Sequence, residues 1–388
     1  MPMSALVADR AAGVVAAAEQ LLARRMGAPV RLVEPVELGG SGRTTVVRVR
    51  VADNTYSLPR TLIVKQVRET VPGRSWRAEP GVASVDSAFI REAVSYQFAT
   101  ALAREHRPGP DLIAQDFDAR LLILTDLGES TRLTTQLQAR SDVADISLMA
   151  FAQALGRLHA STVGRESDFV ALLRRAEVAH RRDGVTTQAI SAIGAVPGML
   201  REQVGVDVPE SVLAVAQSCR QLFERGRFRA FSPSDLCPDN VIVNEDGVRF
   251  LDYEWGGYRD ATLDVAYALV SFPGCLCHVD MPADRARAMV DAWRSEVVGV
   301  WPALADEVYL DRKILHAQMA WVWLTTYWFL PENHSRFAAA REHGLSIPRS
   351  QALIARWALL EERARTVGAD DISAFAGRVT DALDLKWS

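Results

Sequence analysis

The chain has 388 residues, of which 49% are hydrophobic and 24% charged, and its formal net charge is −4. A single hydrophobic core rarely grows past about 250 to 300 residues, so two lobes are expected. The slight acidic excess gives no electrostatic drive toward a phosphate backbone, which counts against nucleic acid as a partner, and four cysteines in so long a chain do not make a disulfide framework.

Taken in chain order, "MPMSALVADRAAGVVAAAEQLLARR" carries Asp9, Arg10 and Glu19 around a short apolar run, and predicts an amphipathic helix rather than a cleaved leader. Between Val30 and Val67, "VRLVEPVEL", "TTVVRVRV" and "RTLIVKQV" are rich in β-branched residues and separated by Gly-rich or polar turns, which predicts an antiparallel meander. A polar stretch from Arg68 to Val85 precedes "DSAFIREAVSYQFATALARE", whose apolar spacing predicts a helix capped at Asp86 or Ser87. In "DLIAQDFDARLLILTDLG" two more strands flank a turn near Asp116 to Ala119.

Beyond Gly128 helical patterns dominate, and strands are expected again only around residues 240 to 251. This order predicts an α+β fold with a small N-terminal lobe, residues 1–125, holding a five-stranded antiparallel sheet and one inserted helix. A larger, mainly helical lobe, residues 126–388, follows, with the boundary at Thr125 to Gly128. The longest apolar run, Met319 to Leu330, falls short of the roughly 20 residues that span a bilayer, so no membrane partner and a cytoplasmic location are expected.

Chemistry concentrates between Ser232 and Trp255. In "NVIVNEDGVRFLDYEW", Val241 to Val243 and Val248 to Leu251 predict a tight hairpin whose outer ends meet, placing Asn240 beside Asp252 across the ladder. An amide oxygen and a carboxylate at that separation can share one divalent cation, and hard oxygen ligands with phosphate oxygens suit Mg²⁺. Asp235, in "SPSDLCPDN" five residues before Asn240, is placed to accept a hydroxyl proton. Asp239 competes for that role, but it adjoins Asn240 and should face the opposite side as the strand starts.

Of 44 basic residues only Lys65, Lys313 and Lys386 are lysines. A lysine inside the apolar strand "LIVKQV" therefore suggests a site that needs a compact ammonium at phosphate oxygens, with Glu92 on the following helix as its nearest anionic partner by topology. In "LGGSGRT", Gly39, Gly40, Ser41 and Gly42 make a turn whose exposed amides could cradle a polyphosphate. No Gly-Lys-Ser/Thr loop occurs, and Arg43 breaks a G-x-S-x-G nucleophile pattern. "GCLCH" at 274 to 278 has no second Cys/His pair at zinc spacing and reads as ordinary buried thiols. Trp321, Trp323, Tyr327 and Trp328 crowd one helix, either as core or as an aromatic face for a sugar or onium group.

Together "GGSG", "IVK", "FIRE", "LTDLG", "LGRLHAS", "SDLCPDN" and "FLDYEW" resemble the aminoglycoside phosphotransferase and choline kinase superfamily, over residues 30 to 270. The resemblance implies a protein-kinase-like fold and an ATP- or GTP- and Mg²⁺-dependent kinase of a small-molecule hydroxyl. Its acceptor would be aminoglycoside-, macrolide-, nucleoside-antibiotic- or amino-alcohol-like. Nucleotide would lie under the Gly-rich turn, with adenine at the backbone of Thr125, Asp126 and Leu127. Lys65 would contact the phosphates and pair with Glu92, Asp235 would be catalytic, and Asn240 and Asp252 would hold Mg²⁺. Glu254 resembles an acidic position that follows the metal aspartate in choline-kinase-like members. The family pattern His-Gly-Asp is here Pro233-Ser234-Asp235, which removes a bracing side chain and raises the alternative of a nucleotide-binding pseudokinase.

Overall fold

The computed structural model describes residues 3–39, 44–52, 57–68, 85–139, 141–176, 183–331 and 344–388. Helix α1 (Met3–Met26) leads into strands β1 (Leu32–Gly39), β2 (Thr44–Val51) and β3 (Thr61–Val67), then helix α2 (Val85–Thr100) and strands β4 (Leu112–Asp116) and β5 (Leu121–Thr125). All five strands pair antiparallel in the order β1-β2-β3-β5-β4, so β5 inserts beside β3 instead of extending the sheet beyond β4.

Side chains alternate across this sheet, and the alternation divides its two faces. Leu62, Val64, Leu121 and Ile123 pack with Val14, Ala18 and Leu22 of α1. Leu122 and Leu124, one residue out of phase, join Phe89, Ala93 and Phe98 of α2 in the core that continues into the rest of the chain. Ile63 packs on that second face, so Lys65, two residues on, emerges there as well. Strand period alone thus sends the one lysine of β3 toward the helical part, while the N-terminal helix covers the far side.

The C-terminal part opens with β6 (Thr131–Arg132), α3 (Leu133–Leu137), α4 (Ser141–Thr162), α5 (Glu166–Arg175), α6 (Gly184–Val204), α7 (Glu210–Ser218) and α8 (Arg220–Glu224). Strands β7 (Arg229–Ser232), β8 (Val241–Asn244), β9 (Gly247–Phe250) and β10 (Gly257–Asp260) precede α9 (Thr262–Leu269). Helices α10 (Ala283–Val297), α11 (Glu307–Phe329), α12 (Arg349–Thr366) and α13 (Asp370–Trp387) complete it. The expectation of strands only near residues 240 to 251 is corrected here: β7 pairs with β10, and β6 pairs with β8. These pieces are only two to four residues long, too short to show a period in sequence.

Helix α11 forms the axis of the helical part, packing on α9, α6 and α12. Trp321, Trp323 and Trp328 are buried, with Trp323 against Trp357 and Phe375, so this stripe is core. No helix among the described residues is long and apolar enough to cross a membrane.

Candidate active site

The β8–β9 hairpin turns tightly through Glu245 and Asp246, with Gly247 at φ +100°, a conformation that costs glycine no Cβ clash. Val241 pairs with Phe250, and the Leu251 N–H donates to the Asn240 carbonyl at 2.8 Å. Asn240 therefore faces Leu251, and Asp252 stands one residue past the ladder, not across it as the spacing suggests. Its backbone turns there into the left-handed region at φ +56°, and its N–H donates to the Tyr96 hydroxyl at 3.1 Å. Non-glycine residues seldom adopt this conformation, and those that do cluster where the backbone aims a functional side chain.

That turn brings Asp252 to Lys65. The ammonium contacts Asp252 Oδ1 and lies 2.6 Å from Glu92 Oε1, so a strand, a helix and a loop from both parts of the chain meet at one cation. Burial works against the Lys65 charge, but Asp252 and Glu92 hold its pKa well above the ordinary lysine range.

Asp235 lies on the loop between β7 and a single 3-10 turn, Pro238–Asn240. Asn240 Nδ2 donates to Asp235 Oδ2 at 2.8 Å, and the Tyr267 hydroxyl on α9 donates to Oδ1 at 3.2 Å. Burial and then the neighbouring Asp239 charge push the Asp235 pKa upward. Asp239 is therefore close enough to be felt, although its carbonyl is turned to the Arg132 guanidinium. Burial followed by the charge of Asp252 lifts Glu254 to about 7, against the pull of Lys65.

The loop is anchored without a histidine at position 233. Ser234 sits at φ +69°, its N–H donates to Ser232 Oγ at 3.1 Å, and its own hydroxyl donates to the Trp255 carbonyl at 2.9 Å. Ser232 Oγ in turn donates to Asp264 Oδ1 at 2.6 Å. The other Asp264 oxygen lies 3.1 Å from His159 Nε2, while Trp293 Nε1 donates to His159 Nδ1 at 2.9 Å. An indole N–H can only donate, so the imidazole proton sits on Nε2 and points at Asp264. The brace runs through two serines and Asp264 to a histidine on α4.

A divalent cation fits this donor set. A carboxylate only accepts, so Asn240 must present its NH₂ to Asp235, and its carbonyl oxygen is the atom that would serve as ligand beside Asp252. Asp252, Glu92 and Glu254 act on the Lys65 ammonium, and Asp239 and Asp252 raise the pKa of Asp235, a concentration of negative charge that a cation would offset. No group of three or more His, Cys, Asp or Glu among the described residues forms a metal cage. Mg²⁺ held by one or two protein oxygens and by phosphates needs none. Cys275 and Cys277 are buried with their sulfurs 3.3 Å apart and belong to no such cage.

At the turn between β1 and β2, Gly39 takes φ +98° opposite Val46. Gly40, Ser41 and Gly42 lie outside the described residues. At the junction of the two parts, Asp126 binds Arg48 at 2.9 Å, the Thr125 hydroxyl accepts from the Asp111 N–H at 2.9 Å, and the Leu127 carbonyl accepts from Asn244 Nδ2 at 2.9 Å. The junction is thus tied to β2 on one side and to the hairpin on the other.

Neither a family model nor a curated protein sequence matches the chain. Among solved structures, it is similar to a choline/ethanolamine kinase family protein from Mesorhizobium loti. That match has 14% identity and a TM-score of 0.50, covering 89% of this chain and 92% of the other. The chain has a protein-kinase-like fold. Choline kinase LicA from Streptococcus pneumoniae matches at 13% identity and TM-score 0.47, over 90% of this chain and 99% of that one. A streptomycin–ATP–APH(2")-IIa ternary complex matches at 14% and 0.42, over 78% and 89%.

Within this protein-kinase-like fold, the side chains at the site that lie outside the sequence expectations include Tyr96, Asp264 and Tyr267. Asp264 and Tyr267 stand three apart on α9, a helix buried on every side, where no apolar stripe sets them apart in sequence.

Proposed function

We propose that this chain is an ATP- or GTP- and Mg²⁺-dependent phosphotransferase that phosphorylates a hydroxyl of a small molecule. The reading rests above all on one constellation: Asn240 bonded to Asp235 beside Asp252, which is itself paired with the Lys65–Glu92 couple. The likeness in fold to the choline/ethanolamine kinase family protein supports it.

In this reading residues 1–125 form a nucleotide-binding lobe and residues 126–388 a lobe that carries the catalytic loop and the acceptor. Lys65 orients the α and β phosphates, Gly39, Gly40, Ser41 and Gly42 are assigned to phosphate binding on their sequence alone, and the base is assigned to the backbone of Thr125, Asp126 and Leu127. Asn240 and Asp252 would hold Mg²⁺, which supplies charge neutralisation on the phosphates. Asp235 takes the acceptor's hydroxyl proton as that oxygen bonds the γ-phosphorus and the nucleoside diphosphate leaves. Burial and a like-charged neighbour make its carboxylate a better base than an exposed one.

The acceptor class is taken as aminoglycoside-, macrolide-, nucleoside-antibiotic- or amino-alcohol-like, with a role in antibiotic resistance or biosynthesis. Acceptor-dependent ADP release across hydroxylated metabolites and antibiotics, for wild type and Asp235→Ala, tests the proposal. The expected result is transfer by wild type, a loss of about 10²-fold or more in the variant, and nucleotide binding retained by both. Nucleotide binding with no turnover of any acceptor would favour the pseudokinase reading, and equal turnover by the variant would remove Asp235 from the chemistry.

A further inference from the structure

Tyr267 is fully buried on α9, and a phenylalanine would fill the same space. Its ring stands edge-on to Trp321 at 4.9 Å and to Phe272 at 6.1 Å. The hydroxyl is therefore not required by packing, and hiding it from water is costly unless it is hydrogen-bonded. It is bonded on both sides. The Gly274 N–H donates to it at 2.9 Å, and it lies 3.2 Å from Asp235 Oδ1. A backbone N–H can only donate and an ionised carboxylate can only accept, so the hydroxyl proton is directed at Asp235. Burial holds that hydroxyl far above the ordinary tyrosine range, so it remains a donor.

The partner on the other side is equally specific. A Cβ at Gly274 would overlap the Tyr267 oxygen, so only glycine lets the backbone come this close. Ser271 and Phe272, just before it, both sit in the left-handed region at φ +56° and +53°, a costly conformation for two successive non-glycine residues. The Cys237 sulfur, two residues from Asp235, completes the surroundings at 3.4 Å.

We propose that Tyr267, seated by the Gly274 N–H, is a positioning residue for phosphoryl transfer: its bond to Oδ1, opposite that of Asn240 to Oδ2, stops the Asp235 carboxylate from rotating. The remaining lone pairs then keep a fixed direction, along which the acceptor hydroxyl would approach. The inference deepens the phosphotransferase reading and rests on it. A misplacement of about 1 Å at a reacting group can lower a rate by about 10²-fold, which sets the scale of the expected effect.

Steady-state ADP release with saturating acceptor, or with water as acceptor, is to be measured for wild type, Tyr267→Phe, Asp235→Asn and the double variant, alongside thermal unfolding. Tyr267→Phe is expected to lower kcat by about 10- to 100-fold with KM for Mg·ATP within about twofold, and to lower it no further in the Asp235→Asn background. Gly274→Ala, which displaces the hydroxyl from a different loop, is expected to show the same division between kcat and KM. A wild-type kcat in Tyr267→Phe overturns the inference alone, as does an equal fold-loss on both backgrounds, which would mark a purely structural role. No ADP release by wild type overturns the kinase reading, and this inference with it.

Discussion

Lys65 shows how far a single residue can be read. Its scarcity among the basic residues and its place in an apolar strand pointed to an anionic site, and the alternation of β3 carries it to the face where Glu92 and Asp252 converge. A guanidinium is larger and planar and cannot replace an ammonium between two carboxylates at this spacing. Lys65→Arg is therefore expected to raise KM for Mg·ATP by about tenfold or more while leaving the fold intact, checked by steady-state kinetics and circular dichroism. Lys65→Met goes further, because it takes the ammonium away from the buried Glu92 carboxylate. It is expected to cost about 3 to 5 kcal/mol in denaturant unfolding, and a loss below about 1 kcal/mol would show that the pair is not buried as described. The nearness of Asn240 and Asp252 was legible only in part: the tight hairpin brings Asn240 opposite Leu251, and Asp252 falls one residue past the ladder. Tyr267 and Asp264 were not legible, because on a helix buried on all sides a polar residue leaves no amphipathic signature.

Among elements, those with a long hydrophobic period were the most legible. The five-stranded sheet, α2 and the hairpin follow from alternation and turn residues. What the sequence could not show was pairing that depends on distant partners: β7 with β10, β6 with β8, and the insertion of β5 between β3 and β4. Asp252 belongs here too, since its left-handed turn comes with contacts to Lys65 and Tyr96, both far away in sequence. Helix packing supplies a further test. At Gly156, α4 meets α10 so closely that a Cβ would stand 2.9 Å from the Trp293 carbonyl oxygen and 2.7 Å from Glu296 Cβ. Trp293 is the same residue that holds His159 in its tautomer, so the close approach also supports the loop anchor. Gly156→Ala is expected to destabilise the protein by about 1 to 3 kcal/mol in urea unfolding through overpacking, and a neutral or stabilising effect would contradict the packing described.

At the scale of the whole molecule, the core runs unbroken from α2 through the helical part, with a second, smaller core under α1. All four cysteines are buried, and burial pushes Cys219 and Cys237 up to about 12. The thiolate is the reactive form, so at pH 8 its fraction at those two sites is on the order of 10⁻⁴. The native protein is expected to resist a thiol-specific reagent at pH 8 and to titrate all four cysteines once unfolded; rapid labelling of Cys237 in the native state would show that the catalytic loop opens. The site between sheet and helices is the other whole-molecule property, since Lys65 and Glu92 come from one part of the chain and Asp235, Asn240 and Asp252 from the other. The most direct measurement is calorimetric titration of ATP into the wild-type protein with and without Mg²⁺, repeated with Asp252→Asn. The expected result is binding strengthened by Mg²⁺ in the wild type and indifferent to Mg²⁺ in the variant. Equal affinity with and without Mg²⁺ in the wild type, or an unchanged Mg²⁺ response in Asp252→Asn, would contradict the assignment of this cluster as a nucleotide–metal centre.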